Sequence, residues 1–339
     1  MPKPPTAFDL RPDWLALHHE PALDPSQRVI DSHHHLYQRP GLRYLLDDYM
    51  ADLACGHDIR ATVAVQARAM LRADGPREMA SLGETEFLNG QAAMSASGIY
   101  GPVRIAAAIV GHVDLTLGDR VRPLLEQHMA ASGRLRGIRQ PLAWDADASL
   151  LNPAYATFEG LAESAAFAQG LGVLQDLGLS FEIWAFYPQL SMLAKLARAF
   201  PDLPIVVNHL GGVIRAGAHR GRDIFEAWRQ GLAALAACLN VSVKLSGLGM
   251  RLSGFGFDDG ATPPTSADLA AVWQPWMMTA LDLFGPQRCM WGSNFPVDKS
   301  SYSYGIGLNA VKRLLAGASD AERQDVFWRT ASRHYNIKL

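Results

Sequence analysis

The chain has 339 residues, of which 49% are hydrophobic and 19% are charged, and its formal net charge is −2. This length and composition allow one large buried core. Lys and Arg form no cluster along the sequence, which argues against nucleic acid or an anionic membrane as a partner. We therefore expect a globular protein whose partner is a small molecule.

The three cysteines, Cys55, Cys238 and Cys289, are widely spaced and form no CxxC pair. This pattern fits a reduced cytoplasmic enzyme better than a disulfide scaffold. No apolar run approaches the roughly 18 residues of a membrane helix, and residues 1–28 lack the apolar centre of a signal peptide. The sequence predicts a cytoplasmic protein without a membrane segment.

Residues 1–28 contain six prolines and three isolated apolar anchors, Phe8, Trp14 and Leu17. They predict an extended arm laid over one domain formed by residues 29–339. Such an arm would also suit a contact in a homodimer.

From Val29 onward, apolar β-branched runs alternate with Ala- and Leu-rich amphipathic segments. There are eight such runs: Val29–His35, Ala61–Ala67, Val103–Val113, Leu135–Gln140, Leu179–Phe186, Pro204–Leu210, Val241–Ser246 and Cys289–Pro296. Alternating strands and helices predict parallel strands with right-handed crossovers. Eight of them predict a single closed (β/α)8 TIM barrel of the α/β class, and an open doubly wound sheet is the alternative.

Two connections have local signals of their own. Asn152 followed by Pro153 is typical of a helix start. Residues 247–266, after the seventh strand, are rich in Gly and Pro and would lie over the barrel mouth as a lid or specificity loop. A disordered surface insertion is the alternative for that segment.

The run Val29-Ile30-Asp31-Ser32-His33-His34-His35 combines a buried strand with three histidines. Because side chains alternate across a strand, His33 and His35 share one face and His34 the other. Two imidazoles one strand step apart can bind a single metal ion. Core or surface histidines are the alternative, and a tag fragment is disfavoured because the run follows a strand.

Active sites of such barrels lie at the carboxyl ends of the strands, so polar residues should collect there. The predicted strand ends carry His33, His35, Gln66, His112, Asp114, Arg139, Gln140, Glu182, Asn208, His209, Lys244, Ser246, Ser293 and Asn294. Their positions support both the barrel and a site at its mouth.

Three motifs resemble the amidohydrolase superfamily. They are Asp31-x-His33-x-His35, Asn208-His209-Leu210-Gly211 and Gly292-Ser293-Asn294-Phe295-Pro296, and their order and spacing resemble the amidohydrolase-2 branch of lactonases acting on sugar-derived and aromatic-pathway lactones. The resemblance extends over nearly the whole barrel and includes Arg136–Arg139 and Lys244–Gly247.

The resemblance implies that His33, His35 and His209 bind one divalent metal, with zinc first and manganese or iron as alternatives. Three neutral imidazoles leave an open position on such an ion, where a bound water becomes acidic enough to ionise near neutral pH. Some members of the branch need no metal, so the histidines could instead act directly.

One position departs from the resemblance, because Asn294 stands where relatives usually carry an aspartate. An amide cannot act as a base near neutral pH. Glu182 and Asp298 are therefore candidate bases, although Glu182 could instead form an ion pair with Lys244, and Asp298 could cap a loop or pair with Lys299.

Further strand-end residues are candidates for substrate binding: Gln66, Arg139, Gln140, Trp184 and Tyr187, with Lys244 as a second cation for a carboxylate or an oxyanion. Internal packing and charge pairing are the alternatives for each. The leading hypothesis is a metal-dependent hydrolase of a small sugar-derived or carboxylated lactone. A metal-dependent non-oxidative decarboxylase and a catalytically degenerate binding protein remain open.

Overall fold

The computed structural model describes residues 9–39 and 41–339. Eight parallel strands lie in sequence order, each hydrogen-bonded to the next. They are β1 Arg28–His34, β2 Asp58–Val65, β3 Arg104–Gly111, β4 Leu135–Pro141, β5 Ser180–Trp184, β6 Ile205–Val207, β7 Val241–Leu245 and β8 Cys289–Trp291. All eight predicted strands are confirmed.

The sheet closes where the segment after β8 meets the end of β1. His34 and Phe295 form a parallel bridge, the backbone N–H of His35 donates to the Phe295 carbonyl at 2.7 Å, and the N–H of Asn294 donates to the His33 carbonyl at 2.8 Å. The molecule is therefore a (β/α)8 barrel, and the open sheet considered as an alternative is wrong.

One helix of eight or more residues follows each strand. These are α1 Leu46–Leu53, α2 Leu82–Ala96, α3 Val121–Ala131, α4 Ala165–Asp176, α5 Leu190–Ala199, α6 Phe225–Ala236, α7 Ser266–Phe284 and α8 Tyr304–Leu314. Shorter helices span Pro12–Leu15, His209–Gly212, Asp320–Gln324 and Thr330–His334, with a π-turn at Asp325–Arg329, and a two-stranded hairpin pairs Tyr37–Arg39 with Leu42–Tyr44.

The helix start predicted at Asn152 is wrong. The side chain of Asn152 instead accepts the N–H of Ala154 at 3.0 Å, which closes a turn. The helix begins after Ser164, whose hydroxyl accepts the N–H of Phe167 at 3.2 Å. Both residues can cap a helix, and only the later one is followed by a run that packs into the core.

The barrel interior is apolar toward the amino ends of the strands and polar toward their carboxyl ends. Ile30, Val63 and Val206 pack there with Tyr335 and Ile337 from the end of the chain. The C-terminal segment thus packs onto the apolar part of the interior. The polar strand-end residues are left to line the opposite mouth.

Residues 9–27 lie along the later part of the chain. The indole N–H of Trp14 donates to the Gly260 carbonyl at 3.1 Å, and the N–H of Leu23 donates to the Asn309 side chain at 2.8 Å. Leu17 is 62% exposed and is not the anchor that was predicted, because its side chain faces solvent. Phe8 lies outside the described residues.

Within residues 9–39 and 41–339, no helix is both long enough and apolar enough to cross a membrane.

Candidate active site

A cavity of about 180 Å³ opens at the carboxyl ends of the strands. Five of the predicted site residues line it: His35, Arg139, Trp184, His209 and Asn294. They come from the ends of five different strands, which is the arrangement that the barrel topology predicts. The mouth of the barrel is therefore the candidate active site.

His33 and His35 project from the same face of β1 into the barrel, as the strand alternation predicted. Their Nε2 atoms are 3.3 Å apart, and the rings meet edge to face. The Nδ1 atom of His35 lies 2.8 Å from the Val65 carbonyl. Because a carbonyl can only accept, Nδ1 carries the hydrogen and Nε2 of His35 has a free lone pair.

His34 points to the other side of the sheet and has a structural role. Its ring stacks on Tyr49 with 4.2 Å between centroids, and its Nε2 lies 2.9 Å from the Thr62 hydroxyl. Burial lowers the pKa of His34 to about 3, so the ring is neutral. One strand thus carries histidines of two kinds, separated only by the direction in which they point.

His209 completes the group of imidazoles, and it adopts a left-handed backbone conformation with φ of 53°. Its Nδ1 is 2.9 Å from the Ser246 hydroxyl, and its ring centroid is 4.4 Å from that of His33. Gly247 lies beside it with φ of +78°, and a Cβ there would come within 2.5 Å of the His209 Cβ. A glycine is therefore needed at 247 for His209 to hold this position.

The pKa values of His33, His35 and His209 all lie well below the usual value for histidine. Burial is the largest cause; the positive charge of Arg139 acts in the same direction on all three, and that of Lys244 on His33 and His209. All three imidazoles are consequently neutral at neutral pH. The site has a positive potential that opposes any further positive charge placed on them.

Lys244 and Glu182 form a fully buried ion pair beneath the histidines. The Lys244 ammonium donates to both carboxylate oxygens, at 2.7 and 2.9 Å. Glu182 also accepts from Asn208 at 2.8 Å and from the Tyr335 hydroxyl. The predicted alternative of an ion pair with Lys244 is thus confirmed, and the carboxylate is saturated with donors.

Lys244 continues this network toward the cavity, because its Nζ atom lies 3.3 Å from Nδ1 of His33. Burial lowers the pKa of Lys244 to about 8, against the opposing charge of Glu182. An ammonium can only donate, so with Lys244 charged His33 accepts at Nδ1 and carries its own hydrogen on Nε2, and the 3.4 Å approach of Arg139 to Nε2 is then not a hydrogen bond. That hydrogen points at the free lone pair of His35.

Arg139 lies at the edge of the same cavity and is 5% exposed. Its guanidinium donates to the Gln66 carbonyl and comes within 3.4 Å of Nε2 of His33. Its Nε atom has no partner within the described residues. Arg139 therefore brings a positive charge and unused N–H capacity to the histidines.

Gln66 is buried behind this arginine. Its side-chain oxygen accepts from the Tyr155 hydroxyl at 3.2 Å, and its Nε2 has no partner among the described residues. Its backbone and side chain thus support two residues of the cavity, Arg139 and Tyr155.

Asn294 and Asp298 lie next to each other, and only Asn294 lines the cavity. The Asn294 amide donates from Nδ2 to Asp298 at 2.8 Å. Lys299 pairs with Asp52 at 2.7 Å instead of with Asp298, so that predicted alternative is wrong.

Three predicted substrate contacts do not line this cavity: Gln66, described above, Gln140 and Tyr187. The Gln140 side chain accepts the N–H of Leu115 at 2.8 Å and faces a separate cavity of about 510 Å³. The Tyr187 hydroxyl lies 3.0 Å from the His219 ring. Both side chains are directed away from the mouth toward loop residues, Leu115 for Gln140 and His219 for Tyr187.

Several wall residues were missed by sequence reasoning. Tyr37 follows the histidine run, Tyr155 lies in the loop after β4, and Met250 and Leu252 belong to the predicted lid segment. Nothing local to Tyr155 marks it as a wall residue, since its neighbours Asn152 and Pro153 are typical of a helix start. Met250 and Leu252 place part of the 247–266 loop at the mouth.

The fit of a metal ion can be tested on the contacts of the three histidines. A metal-bound imidazole normally donates its other N–H to a carboxylate, a carbonyl or water. His35 meets this requirement through Val65, and His209 can meet it through Ser246.

His33 does not meet the requirement. Its Nδ1 faces the Lys244 ammonium, and Arg139 approaches the nitrogen that would bind the metal. In the described part of the chain, no group of three or more His, Cys, Asp or Glu side chains is arranged to hold a metal ion. As they are arranged, the three histidines do not fit zinc.

Comparison with known proteins agrees with the architecture and the motifs. Residues 30–337 match the family model described as "Amidohydrolase". An L-fucono-1,5-lactonase of Burkholderia multivorans is 30% identical over 323 residues, which cover 91% of this chain and 96% of that protein.

Two solved structures extend the comparison. A crystal structure of a Burkholderia multivorans amidohydrolase with bound zinc has a TM-score of 0.68 and 28% identity, covering 91% of this chain and 99% of that one. A 2,6-dihydroxybenzoate decarboxylase has a TM-score of 0.55 at 12% identity, covering 92% and 99% of the two chains, and shares the fold alone.

Proposed function

Because this chain belongs to the amidohydrolase family, we propose that it is a hydrolase that opens a small lactone. The observation that carries this proposal is the neutral His33–His35 pair beside the Arg139 guanidinium, with His35 and Arg139 lining one cavity. The similarity to a lactonase over nearly the full length of both chains supports it.

Ester hydrolysis requires a group that stabilises the oxyanion formed on the carbonyl carbon. Arg139 suits this task because its guanidinium is permanently charged and lines the cavity. Oriented donors in a buried site are commonly the largest single contribution to such a reaction.

The attacking water also needs a proton acceptor, and Nε2 of His35 supplies one when the water replaces His33, whose Nε2 lies 3.3 Å away, as the partner of its lone pair. The positive potential of the site opposes an isolated imidazolium. That cost is offset when the oxyanion forms in the same step, since the negative charge arises next to Arg139 and His35. The protonated His35 then returns the proton to the leaving alkoxide of the opened ring.

The hydrogen-bonded series from Lys244 through His33 to His35 keeps these tautomers in place. Lys244 donates to Nδ1 of His33, which places the hydrogen of His33 on Nε2 next to His35. Glu182 holds Lys244 from below. In this proposal Lys244 and Glu182 orient the histidines and are not the base.

The prediction of one divalent metal, zinc first, remains a prediction. His33, His35 and His209 would be its ligands, and a bound ion would polarise the carbonyl and acidify water. The zinc in a related structure supports it, whereas the contacts of His33 oppose it. No step above passes through a metal.

The test is hydrolysis of a panel of aldonolactones, including L-fucono-1,5-lactone, followed by acid release in weak buffer. We expect turnover by the wild type and a loss of about 100-fold or more in kcat for Arg139→Met, the size seen when one oxyanion donor is removed. Tyr187→Phe is the matched control outside the cavity and should keep the wild-type rate. No turnover of any lactone would contradict the proposal.

The same assay decides the role of a metal. We expect protein stripped with a chelator, and shown by elemental analysis to be metal-free, to retain its rate. A loss of rate that one equivalent of zinc restores, together with zinc binding abolished in His33→Ala/His35→Ala, would contradict the metal-free mechanism and assign the ion to the histidines.

A further inference from the structure

Asn294 and Asp298 form a connected pair at the end of β8, and the hydrogen-bond chemistry of the pair determines which atom of Asn294 faces the cavity. Asp298 is fully buried. One of its carboxylate oxygens accepts from Nδ2 of Asn294 at 2.8 Å. The other accepts from the Tyr302 hydroxyl at 2.8 Å and from the N–H of Gly249 at 3.2 Å.

All three of these partners donate to Asp298, so above its pKa of about 7, where the group is ionised, the carboxylate acts only as an acceptor. An amide has one donating and one accepting end, and Nδ2 of Asn294 is taken by Asp298. The side-chain oxygen is therefore the end that remains on the cavity side. Consistent with this, a hydrogen bond to the Asn294 side chain raises the pKa of His35, because the amide oxygen accepts from the protonated ring, against the larger lowering effects of burial and Arg139.

Backbone hydrogen bonds on both sides fix the position of Asn294. Its N–H donates to the His33 carbonyl at 2.8 Å, its carbonyl accepts from the N–H of Asp298 at 3.2 Å, and its φ is 55°. A Cβ at Gly249 would lie 2.9 Å from Asp298, so this close approach of the loop requires glycine. The pair is thereby held from both the strand end and the loop.

We propose that Asp298 is a positioning residue that fixes the Asn294 amide with its oxygen toward the cavity, where that oxygen accepts a hydrogen bond from the attacking water or a lactone hydroxyl. That the donor is the attacking water or a lactone hydroxyl rests on the proposed lactone hydrolysis. The orientation of the Asn294 amide does not rest on it, because the orientation follows from the donors around Asp298.

The substitution Asp298→Asn tests the orientation because it places a hydrogen-bond donor where Asp298 presents an acceptor to Asn294. The Tyr302 hydroxyl and the Gly249 N–H would hold the oxygen of the new amide, so its NH₂ group would face Asn294. Asn294 could satisfy that NH₂ only by turning its own oxygen away from the cavity, which would present a donor where the wild type presents an acceptor.

The double substitution Asn294→Asp/Asp298→Asn restores the acceptor. A carboxylate at 294 accepts from the NH₂ at 298 with one oxygen and keeps the other oxygen toward the cavity. Tyr302→Phe is the matched control, since it removes a donor to Asp298 without changing the partner of Asn294.

The first readout is the side-chain amide NMR signal of Asn294 in ¹⁵N-asparagine-labelled protein, assigned by its absence in Asn294→Ala. We expect a downfield, slowly exchanging proton in the wild type and in Tyr302→Phe, because one N–H is buried against a carboxylate. That proton should lose its shift in Asp298→Ala. An unchanged signal in Asp298→Ala would overturn the inference.

The second readout is kcat/KM on L-fucono-1,5-lactone, or on whichever aldonolactone of the panel is fastest. We expect Asp298→Asn to lose about 100-fold, the size of a modest misplacement in an active site, and the double variant to recover at least tenfold of that loss. Equal rates for the single and double variants would overturn the proposed role of the oxygen. If no lactone is turned over, the proposed function fails, while the NMR signal still decides the orientation.

Discussion

Glu182 and Asp298 are both fully buried carboxylates near the barrel mouth, and their surroundings give them opposite properties. Glu182 has a cation against it, and the charge of Lys244 brings its pKa below the usual value even though burial alone would raise it. Asp298 has only neutral donors, and burial raises its pKa to about 7. The comparison shows that a buried carboxylate cannot be assigned as a base from its burial alone.

The chemical role of each of these two carboxylates follows from its hydrogen-bond partners. Glu182 accepts from Lys244, Asn208 and Tyr335, so it can take up no further proton without breaking a contact. Asp298 lies behind Asn294 and does not line the cavity. Both carboxylates that the sequence offered as bases are thus better placed to orient other side chains.

The largest expected effect comes from breaking the ion pair. Glu182→Gln leaves the Lys244 ammonium buried without its counter-charge, and such a change typically costs about 3–5 kcal/mol of unfolding free energy. Urea denaturation measures it, with the exposed pair variant Glu226→Gln as a control that should change little. Unchanged stability with abolished activity would instead make Glu182 a reacting group.

The second effect is a pH dependence of stability carried by Asp298. The pKa of Asp298 is about 7 in the folded state, whereas the ordinary value of 3.8 applies to the unfolded chain. Between pH 4 and 7 the folded protein therefore holds a proton that the unfolded chain has released. Stability from this group therefore falls as pH rises through that window, by at most about 4 kcal/mol.

Comparison of wild type with Asp298→Asn isolates this contribution, because all other titrating groups are shared. We expect the difference in unfolding free energy between pH 4 and pH 7.5 to be smaller in the variant by a few kcal/mol. A parallel pH dependence in the two proteins would show that the carboxyl group titrates as it does in water.

The smallest effect concerns the C-terminal segment. Tyr335→Phe removes the hydroxyl that donates to Glu182 and should cost about 1.5–3 kcal/mol, the value of a hydrogen bond to a charged group. Urea denaturation again provides the measurement. No loss of stability would mean that Lys244 and Asn208 satisfy Glu182 without help from the end of the chain.

The local pattern of the sequence predicted the architecture well. Eight apolar runs gave eight parallel strands, because an apolar run and the alternation of its side chains can be read from neighbouring residues. The same alternation separated His33 and His35 from His34. The failures are local ambiguities, such as Asn152, which closes a turn with a side chain equally able to cap a helix.

The site was predictable only in part. Five predicted residues line the cavity, since the carboxyl ends of barrel strands must converge. Gln140 and Tyr187 turned away toward loop partners. The loops that supply Tyr155, Met250 and Leu252 have no periodic pattern from which their direction could be read.

The sequence by itself determined the barrel, the face on which His33 and His35 project and the family to which the chain belongs. Only the tertiary structure decided what surrounds those histidines. Arg139 and Lys244 approach His33 from 106 and 211 residues away in the chain. Strand periodicity is a local property, whereas the charge beside a buried imidazole depends on which distant strands the closed barrel brings together.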